Sequence, residues 1–524
     1  MKFLTVDQMR AADGAAVSEC NIPEQVLMNR AGAALAHCVG RVACLRDVNC
    51  VTLIAGRGNN GGDAFVAARY LHQAGFNAHV IMTCTPASLK GAARIAWDEM
   101  QIQGLSFEVL ATIESWQTHP DRQSGSLLNH GIVVDGVLGT GCAGEPRPVA
   151  AAAIDWINCA RAHALVIAVD LPSGMNGDTG GAAGAVVKAD ITVTFAAPKK
   201  GFCNPTAMAL LGDLMVADIG IPDAIAFRSD AGCNVGLITR PELHAAFHRR
   251  EWDAHKGSCG HLCVVGGAEP YPNAPVLSAA GALRSGAGLV TLWGSAPATG
   301  ALALIPEAIF RTITLDDFYR IELPQRLQEY SLSQFDVMVV GPGLTRSAGA
   351  RAMVRHVLEN FKGWLVLDAD GLNILAELSN NGYQLADDLA LVITPHPGEA
   401  ARLLGCSAQE VQGDRNAAVK SLAARYNAVA VLKGAGTLVC DSQSIPWLNL
   451  TGNPGMATAG MGDVLAGMIG GLLAQGLDAT LAVTMAVWAH GTAGDMAAID
   501  GSQTSLTAMD LLHRLPDVFQ DIER

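Results

Sequence analysis

One pattern constrains this chain more than any other: short apolar runs that end at once in glycine, aspartate, proline or serine. Val51–Ala55 leads into Gly56, Ile132–Asp135 into Gly136, and Leu165–Asp170 into Leu171-Pro172-Ser173-Gly174. The pattern returns in His261–Gly266, in Asp336–Val340 before Gly341-Pro342-Gly343, and in Trp364–Ala369 before Asp370-Gly371. It returns again in Leu391–Thr394 before Pro395-His396-Pro397-Gly398-Glu399, and in Val429–Leu432 before Lys433-Gly434-Ala435-Gly436-Thr437. Apolar runs this short, separated by segments of helical spacing, read as strands of parallel sheets covered on both faces. Ligands of such sheets bind beyond the carboxyl ends of the strands, where these polar residues fall. The expected fold class is therefore α/β.

The most chemically pointed stretch is Thr451–Gly467, TGNPGMATAGMGDVLAG. A glycine-rich loop feeds an apolar run with spacings of three and four, so a helix is expected around Asp463. Unpaired N–H groups and the positive end of a helix dipole make an anion site there. An acid in that position is costly unless it has work to do, such as taking a proton from a hydroxyl that attacks phosphate. The run Val464–Ala474 is too short to span a bilayer and reads as a buried helix.

Composition narrows the function classes. The 524 residues suffice for two or three domains, and 50% apolar with 16% charged content describes a globular chain. A net charge of −14 without basic runs argues against nucleic-acid and anionic-membrane partners. Thirteen scattered cysteines without a C-x-x-C pair suit reduced thiols and a cytoplasmic location, not a disulfide framework or zinc site. The beginning, MKFLTVDQMRAADGAA, has no apolar h-region, so no signal peptide is expected.

In the first half, Leu4–Val39 has helical spacing, broken near Asn21-Ile22-Pro23. The strand Val51–Ala55, the loop Gly56–Asp63, a helix over Ala64–Gly75 and a strand over Ala78–Thr83 make a βαβ unit with a G-x-G-x-x-G match. Met82-Thr83-Cys84-Thr85 lacks the acid that an ordinary dinucleotide site uses for the ribose, which weakens a hydride-transfer reading. Asn60, Asp135, Asp170 and Ser173 are expected to converge on one crevice.

The pieces GNNGGD, DGVLGTG, VDLPSG and AAPKKG resemble the N-terminal domain of the YjeF family, the NAD(P)H-hydrate epimerases. The resemblance implies a Rossmann-like, three-layer domain over residues 1–222. It implies that hydrated NAD(P)H lies along Asn59, Asn60, Gly61, Gly62 and Asp63 and along Gly139, Thr140, Gly141, Cys142, Ala143, Gly144 and Glu145. It further implies a potassium ion near Asn60, Asp135 and Ser173, and Asp170 as substrate contact and acid/base. Carboxylate, amide and backbone oxygens suit a monovalent cation.

In the second half, HKGSCGH, NAPVLSAAGALRSGAGLV, GPGL, LDADGLN, TPHPGE, KGAGT and NPGMATAGMGD resemble, in that order, the ribokinase-like small-molecule kinases. The match is nearer their ADP-dependent NAD(P)H-hydrate dehydratase branch and implies a ribokinase-like α/β domain over residues 230–524. It implies Ala274, Gly343 and His396 along the hydrated nicotinamide, with Asp463 contacting the substrate. Lys433, Gly434, Ala435, Gly436, Thr437 and Gly462 would hold the adenine nucleotide. In the last motif Ala459 and Met461 stand where glycine and threonine are expected.

Joined, the two halves imply repair of hydrated NADH and NADPH, NAD(P)HX. One domain would interconvert the epimers; the other would dehydrate one of them with ADP as co-substrate and Mg2+ as the nucleotide's ion. A homo-oligomer is expected. Two alternatives stand beside this reading: a vitamin-alcohol kinase fused to a nucleotide-binding domain, and an idle nucleotide sensor.

Overall fold

A computed structural model describes residues 1–119, 131–141, 144–228, 235–247, 249–294, 303–312 and 331–523. The chain folds as two units, Lys2–Cys233 and Asn234–Arg524, with Met1 belonging to the latter.

The first unit opens with two helices, Val6–Glu19 and Glu24–Leu45, separated where Asn21-Ile22-Pro23 breaks the spacing. Thr5 and Gln8 form a reciprocal capping box at the first, which satisfies two otherwise orphan N–H groups. Seven parallel strands follow among the described residues: β1 (Cys50–Ala55), β2 (Asn77–Met82), β3 (Phe107–Val109), β4 (Ile132–Gly136), β5 (Leu165–Val169), β6 (Ile191–Phe195) and β7 (Asp213–Ala217). Their order is β3-β2-β1-β4-β5-β6-β7, so the winding reverses between β1 and β4. Such a switch point opens a crevice at the strand ends.

Strand alternation sends side chains to two cores. Leu53 joins Leu35, Val39, Phe65 and Trp97 on one face, while Ile54 joins Val133, Ile154 and Trp156 on the other. This is the expected three-layer arrangement.

One boundary differs from the sequence reading. The helix after β1 starts at Asn59, not Ala64, and runs to Gln73. Gly61 and Gly62 are therefore helical. Glycine is needed at Gly61 because a Cβ there would overlap the carbonyl of Gly56, letting the helix start close against the end of β1.

The second unit holds ten strands among the described residues: β8 (Gly236–Leu237), β9 (His261–Val265), β10 (Leu289–Gly294), β11 (Ile309–Thr312) and β12 (Val337–Val340) come first. Then come β13 (Trp364–Leu367), β14 (Leu391–Ile393), β15 (Val429–Leu432), β16 (Thr437–Cys440) and β17 (Trp447–Asn449). The order is β11-β10-β9-β12-β13-β14-β15-β16-β17-β8, again with a switch, here between β9 and β12. The sheet is not wholly parallel: β16 runs antiparallel to both β15 and β17. The physical reason is length, since Lys433–Gly436 can close a hairpin but not a crossover.

The apolar stretch after the glycine loop is the helix Met461–Ala474, buried continuously from Val464 to Ala474. Its glycines let it lie on the helix Ala274–Arg284: a Cβ at Gly467 would overlap Ser278, and one at Gly281 would overlap Val464. Among the described residues no helix is long and apolar enough to cross a membrane.

Candidate active sites

The first site forms where β1, β4 and β5 end. Asn60, in the first turn of its helix, donates its amide to the carbonyls of Val169 (2.6 Å) and Leu138 (3.3 Å). Ser173 bonds Asp135 twice, through its N–H (2.8 Å) and its hydroxyl (2.6 Å), and its Oγ accepts the Leu138 N–H at 2.8 Å. Asp135 is fully buried, and no cationic side chain pairs with it among the described residues. Burial pushes its carboxyl up to about 6, against the pull of the Ser173 bonds and the Val137 N–H. Gly139 stands against the Asn60 carboxamide, so closely that a Cβ would overlap Oδ1. Asn60, Asp135 and Ser173, named from the sequence, are therefore linked through Leu138 and each other, with Gly139 against Asn60, and the side-chain atoms they bring together are mostly oxygens.

Asp170 lies just past β5 in the left-handed region, φ 66°. Its Oδ1 accepts from Thr194 Oγ1 (3.1 Å), from the Phe195 N–H (3.2 Å) and from Lys199 Nζ. Lys199 is almost fully buried and also donates to Thr194 Oγ1 at 2.8 Å and Ala197 O at 3.2 Å. Asp63 is buried and held well above the usual carboxylate range, first by burial and then by Asp170 and Asp13, with Lys199 opposing. Asp13 rises to about 6 through burial, offset by Lys199. Lys199 thus pairs directly with Asp170, and its charge also acts on the nearby Asp63 and Asp13 carboxyls. Sequence reasoning singled out neither Asp13 nor Lys199 as a site residue; the AAPKKG motif was the signal for the lysine.

The remaining named residues have contacts of their own. Asn59 donates to Glu24 Oε1 at 3.2 Å, and the Thr140 carbonyl accepts from Arg10 at 3.2 Å. Glu145 lies beside Gly184, and a Cβ built on Gly141 would meet nothing within 4 Å. Cys142 and Ala143 lie outside the described residues.

The second site is built on the helix Met461–Ala474. Gly460 precedes it in the left-handed region, φ 93°, and no side chain caps its N–H groups. Asp463 sits in its first turn, with its backbone carbonyl tied to Ser278 Oγ at 2.8 Å. Burial, then the neighbouring Asp368, pushes the Asp463 carboxyl up to about 7, with Lys433 opposing. Lys433 Nζ donates to Asp368 Oδ1 at 2.7 Å, and Thr394 Oγ1 donates to the same oxygen at 2.9 Å. A Cβ at Gly462 would stand 3.3 Å from Lys433 Nζ and 3.8 Å from Asp368 Oδ2. Lys433 is thus an ammonium under the helix start, held above its ordinary pKa by Asp368 and Glu399 despite the cost of burial. Asp368, within LDADGLN, is the residue that sequence reasoning left without a role.

His490 fastens the helix start from the far side, bonding the Met461 carbonyl through Nε2 at 2.9 Å. Burial pushes its ring down to about 4, so it is neutral and donates. His396 caps the helix Pro397–Leu404: its Nδ1 accepts the Gly398 N–H at 3.0 Å, while its own N–H bonds Glu399 at 2.8 Å. The outer ring nitrogen of this half-exposed histidine lies 3.4 Å from Glu399. Glu399, mostly buried, is raised to about 7 by burial, with Lys433 opposing. Gly343, at φ 62°, lies against Ala274, whose Cβ would be 3.2 Å from a Cβ on the glycine. The loop Lys433–Thr437 turns through Gly434 (φ 134°) and Gly436 (φ 64°), with Thr437 Oγ1 donating to Gly434 O at 3.0 Å. Among the described residues no group of three or more His, Cys, Asp or Glu side chains forms a metal site.

Two family models cover the chain in sequence: the YjeF-related protein N-terminus over residues 24–201 and NAD(P)H-hydrate dehydratase over residues 262–517. The bifunctional NAD(P)H-hydrate repair enzyme Nnr of Moorella thermoacetica is 38% identical over 100% of this chain and 97% of its own length. The chain belongs to the bifunctional NAD(P)H-hydrate repair enzyme family. The relative of the same name from Escherichia coli is 35% identical across 97% of this chain and 92% of that one. Among solved structures, the ADP/ATP-dependent NAD(P)H-hydrate dehydratase of Bacillus subtilis, co-crystallised with ATP/Mg2+, is 30% identical. It covers 55% of this chain and 99% of its own, with a TM-score of 0.49.

Proposed function

We propose that this protein repairs hydrated NADH and NADPH. Residues 1–222 interconvert the two epimers, and residues 230–524 dehydrate the S epimer at the expense of ADP, giving NAD(P)H, AMP and phosphate. The observation that carries the reading is the Asp463–Lys433–Asp368 cluster at an uncapped helix start. It joins a base of near-neutral pKa to a fixed cation and free N–H groups. A vitamin-alcohol kinase is disfavoured, because family identity extends through both halves of the chain.

Hydration leaves a hydroxyl on carbon 6 of the nicotinamide ring. Asp463 takes the proton of that hydroxyl while its oxygen attacks the β-phosphorus of ADP and AMP departs. The N–H groups around Gly460–Gly462 and the Lys433 ammonium balance charge on the transferring group. The ring nitrogen then expels phosphate, a far better leaving group than hydroxide, and loss of the proton on carbon 5 restores the ring double bond. Mg2+ bound to the phosphates of ADP would screen their charge as the hydroxyl oxygen attacks.

In the first domain Asp170 is the acid/base at the epimerised carbon. Asn60, Asp135 and Ser173 hold the potassium ion, whose charge compensates a buried carboxylate that lacks a cationic partner among the described residues. The reading includes a homo-oligomer, tested by light scattering, and a cytoplasmic location, in keeping with scattered cysteines that form no C-x-x-C pair in the sequence.

The test is recovery of reduced-nicotinamide absorbance from mixed hydrate epimers with ADP and Mg2+. Wild type is expected to recover the full signal, Asp170→Ala only part of it at early times, and Asp463→Asn none. No recovery by wild type with ADP or ATP would sink the reading.

A further inference from the structure

Arg415 is a buried cation with no obvious reason to be buried. It begins the helix Arg415–Tyr426, where the helix dipole is positive and a cation is disfavoured. It is 7% exposed, and its guanidinium meets no carboxylate among the described residues. Every acceptor it has is neutral: Gln412 Oε1 (2.8 Å), Leu432 O (3.1 Å), Lys433 O (3.4 Å) and Gly436 O (3.1 Å). Burial alone drags its pKa below the ordinary arginine value. A buried cation that is neither neutralised nor at a favourable helix end costs stability, so some other gain must offset it.

The acceptors identify that gain. Three of the four bonds go to the backbone of one loop, from the last residue of β15 to the residue before β16. The guanidinium also stands against Gly434, where a Cβ would be 3.3 Å from Nη1. Gly434 and Gly436 hold the left-handed angles that turn the loop. Glycine in such angles is the residue with the most freedom to leave them, so the turn needs an external tie. Arg415 Nη2 reaches carbonyls on both sides of the turn while Nη1 is held by Gln412 Oε1, so the planar guanidinium is fixed in place as it ties the loop; a lysine ammonium lacks that second arm.

We propose that Arg415 is a positioning residue of the dehydratase, fixing the shape of the nucleotide loop Lys433–Thr437 and setting an unneutralised positive charge beneath it. The proposal rests on reading that loop as a nucleotide site. The loop presents its outer face to the diphosphate of ADP, and the charge below adds an attraction that water does not fully screen. Arg415 reaches the nucleotide only through the loop.

The experiment measures ADP affinity by calorimetry and steady-state dehydratase kinetics on the full-length protein, for wild type, Arg415→Lys and Arg415→Met, at two salt concentrations. Arg415→Lys keeps the charge and loses the planar group that Gln412 anchors at one nitrogen while the other holds the loop. It should raise Kd and KM for ADP about tenfold, the size expected for losing a charge-assisted bond. At saturating ADP its kcat should stay within about twofold of wild type, and the KM for the hydrate should not move. Arg415→Met should weaken ADP further and flatten the salt dependence of binding. A role in folding alone would reduce the active fraction and Tm and leave KM for ADP in place; that outcome overturns the proposal. Should Arg415→Met not fold, Arg415→Lys alone decides. Failure of wild type to bind ADP would overturn the nucleotide reading itself, whereas wild-type binding with unchanged affinity in Arg415→Lys overturns this proposal only.

Discussion

Gly462 lies directly over Lys433: the position of a Cβ on the glycine is 3.3 Å from the lysine ammonium. The missing side chain therefore leaves the Lys433–Asp368 pair open toward the helix N-terminus. Lys433→Met should abolish phosphoryl transfer. It should also cost on the order of 3–5 kcal/mol of stability, because Asp368 would be left buried without its cation. Adding Asp368→Asn should restore much of the stability and none of the activity. Chemical denaturation and turnover, measured on the same preparations, check both halves of this statement.

The pH dependence follows from Asp463. A base must be deprotonated, and its pKa is raised to about 7, so dehydratase kcat/KM should climb with pH to about 7 and level off above it. Asp463→Asn should lower kcat by about 10²–10⁴-fold. Stability runs the other way. The folded state binds the Asp463 proton more tightly than the unfolded chain, so charging the group as pH rises toward and past 7 destabilises the fold. Asp463→Asn should melt higher than wild type at pH 8 and match it near pH 3, read by calorimetry.

Potassium should act on the first unit through Asp135. Its carboxyl is raised to about 6 by burial, so in potassium-free buffer this group loses stability as pH rises through 6. Bound potassium offsets that loss. Wild type should gain Tm with potassium at pH 8, and Asp135→Asn should not. Equal gains in both proteins would rule out this ion site.

Lys199 should matter to epimerisation and not to dehydration. Lys199→Met removes the ammonium paired with Asp170, so epimer interconversion should slow by about 10²-fold. Dehydration of a purified S epimer should be unchanged. A rate of interconversion near wild type would show that the lysine serves the core alone.

The strand-end polar residues were legible from sequence because parallel sheets put chemistry at carboxyl ends, whatever the details of the fold. Asn60, Asp135 and Ser173 are of this kind, and so are Gly343 and Lys433. Lys199 and Arg415 were not, and Asp368, though it stands at the end of β13, was legible in place and not in role, since their meaning lies in partners far along the chain: Asp170, the carbonyls of Leu432–Gly436 and Lys433. The helix start at Asn59 was misjudged because glycine's poor helix propensity hid its use for close packing. The turn of β16 against β15 was missed for a simpler reason: the apolar pattern marks a strand but not its direction.

Strand β8 has a practical consequence. Only two residues long, it pairs with β17 along the outermost edge of the ten-stranded sheet. A dehydratase fragment that began at β9 would keep every residue named in its active site and still lack that strip. The bared N–H and C=O groups of β17 would then be a template for pairing with another molecule. Anyone separating the two activities should cut upstream of Gly236, or expect a fragment that is catalytically complete and prone to aggregate.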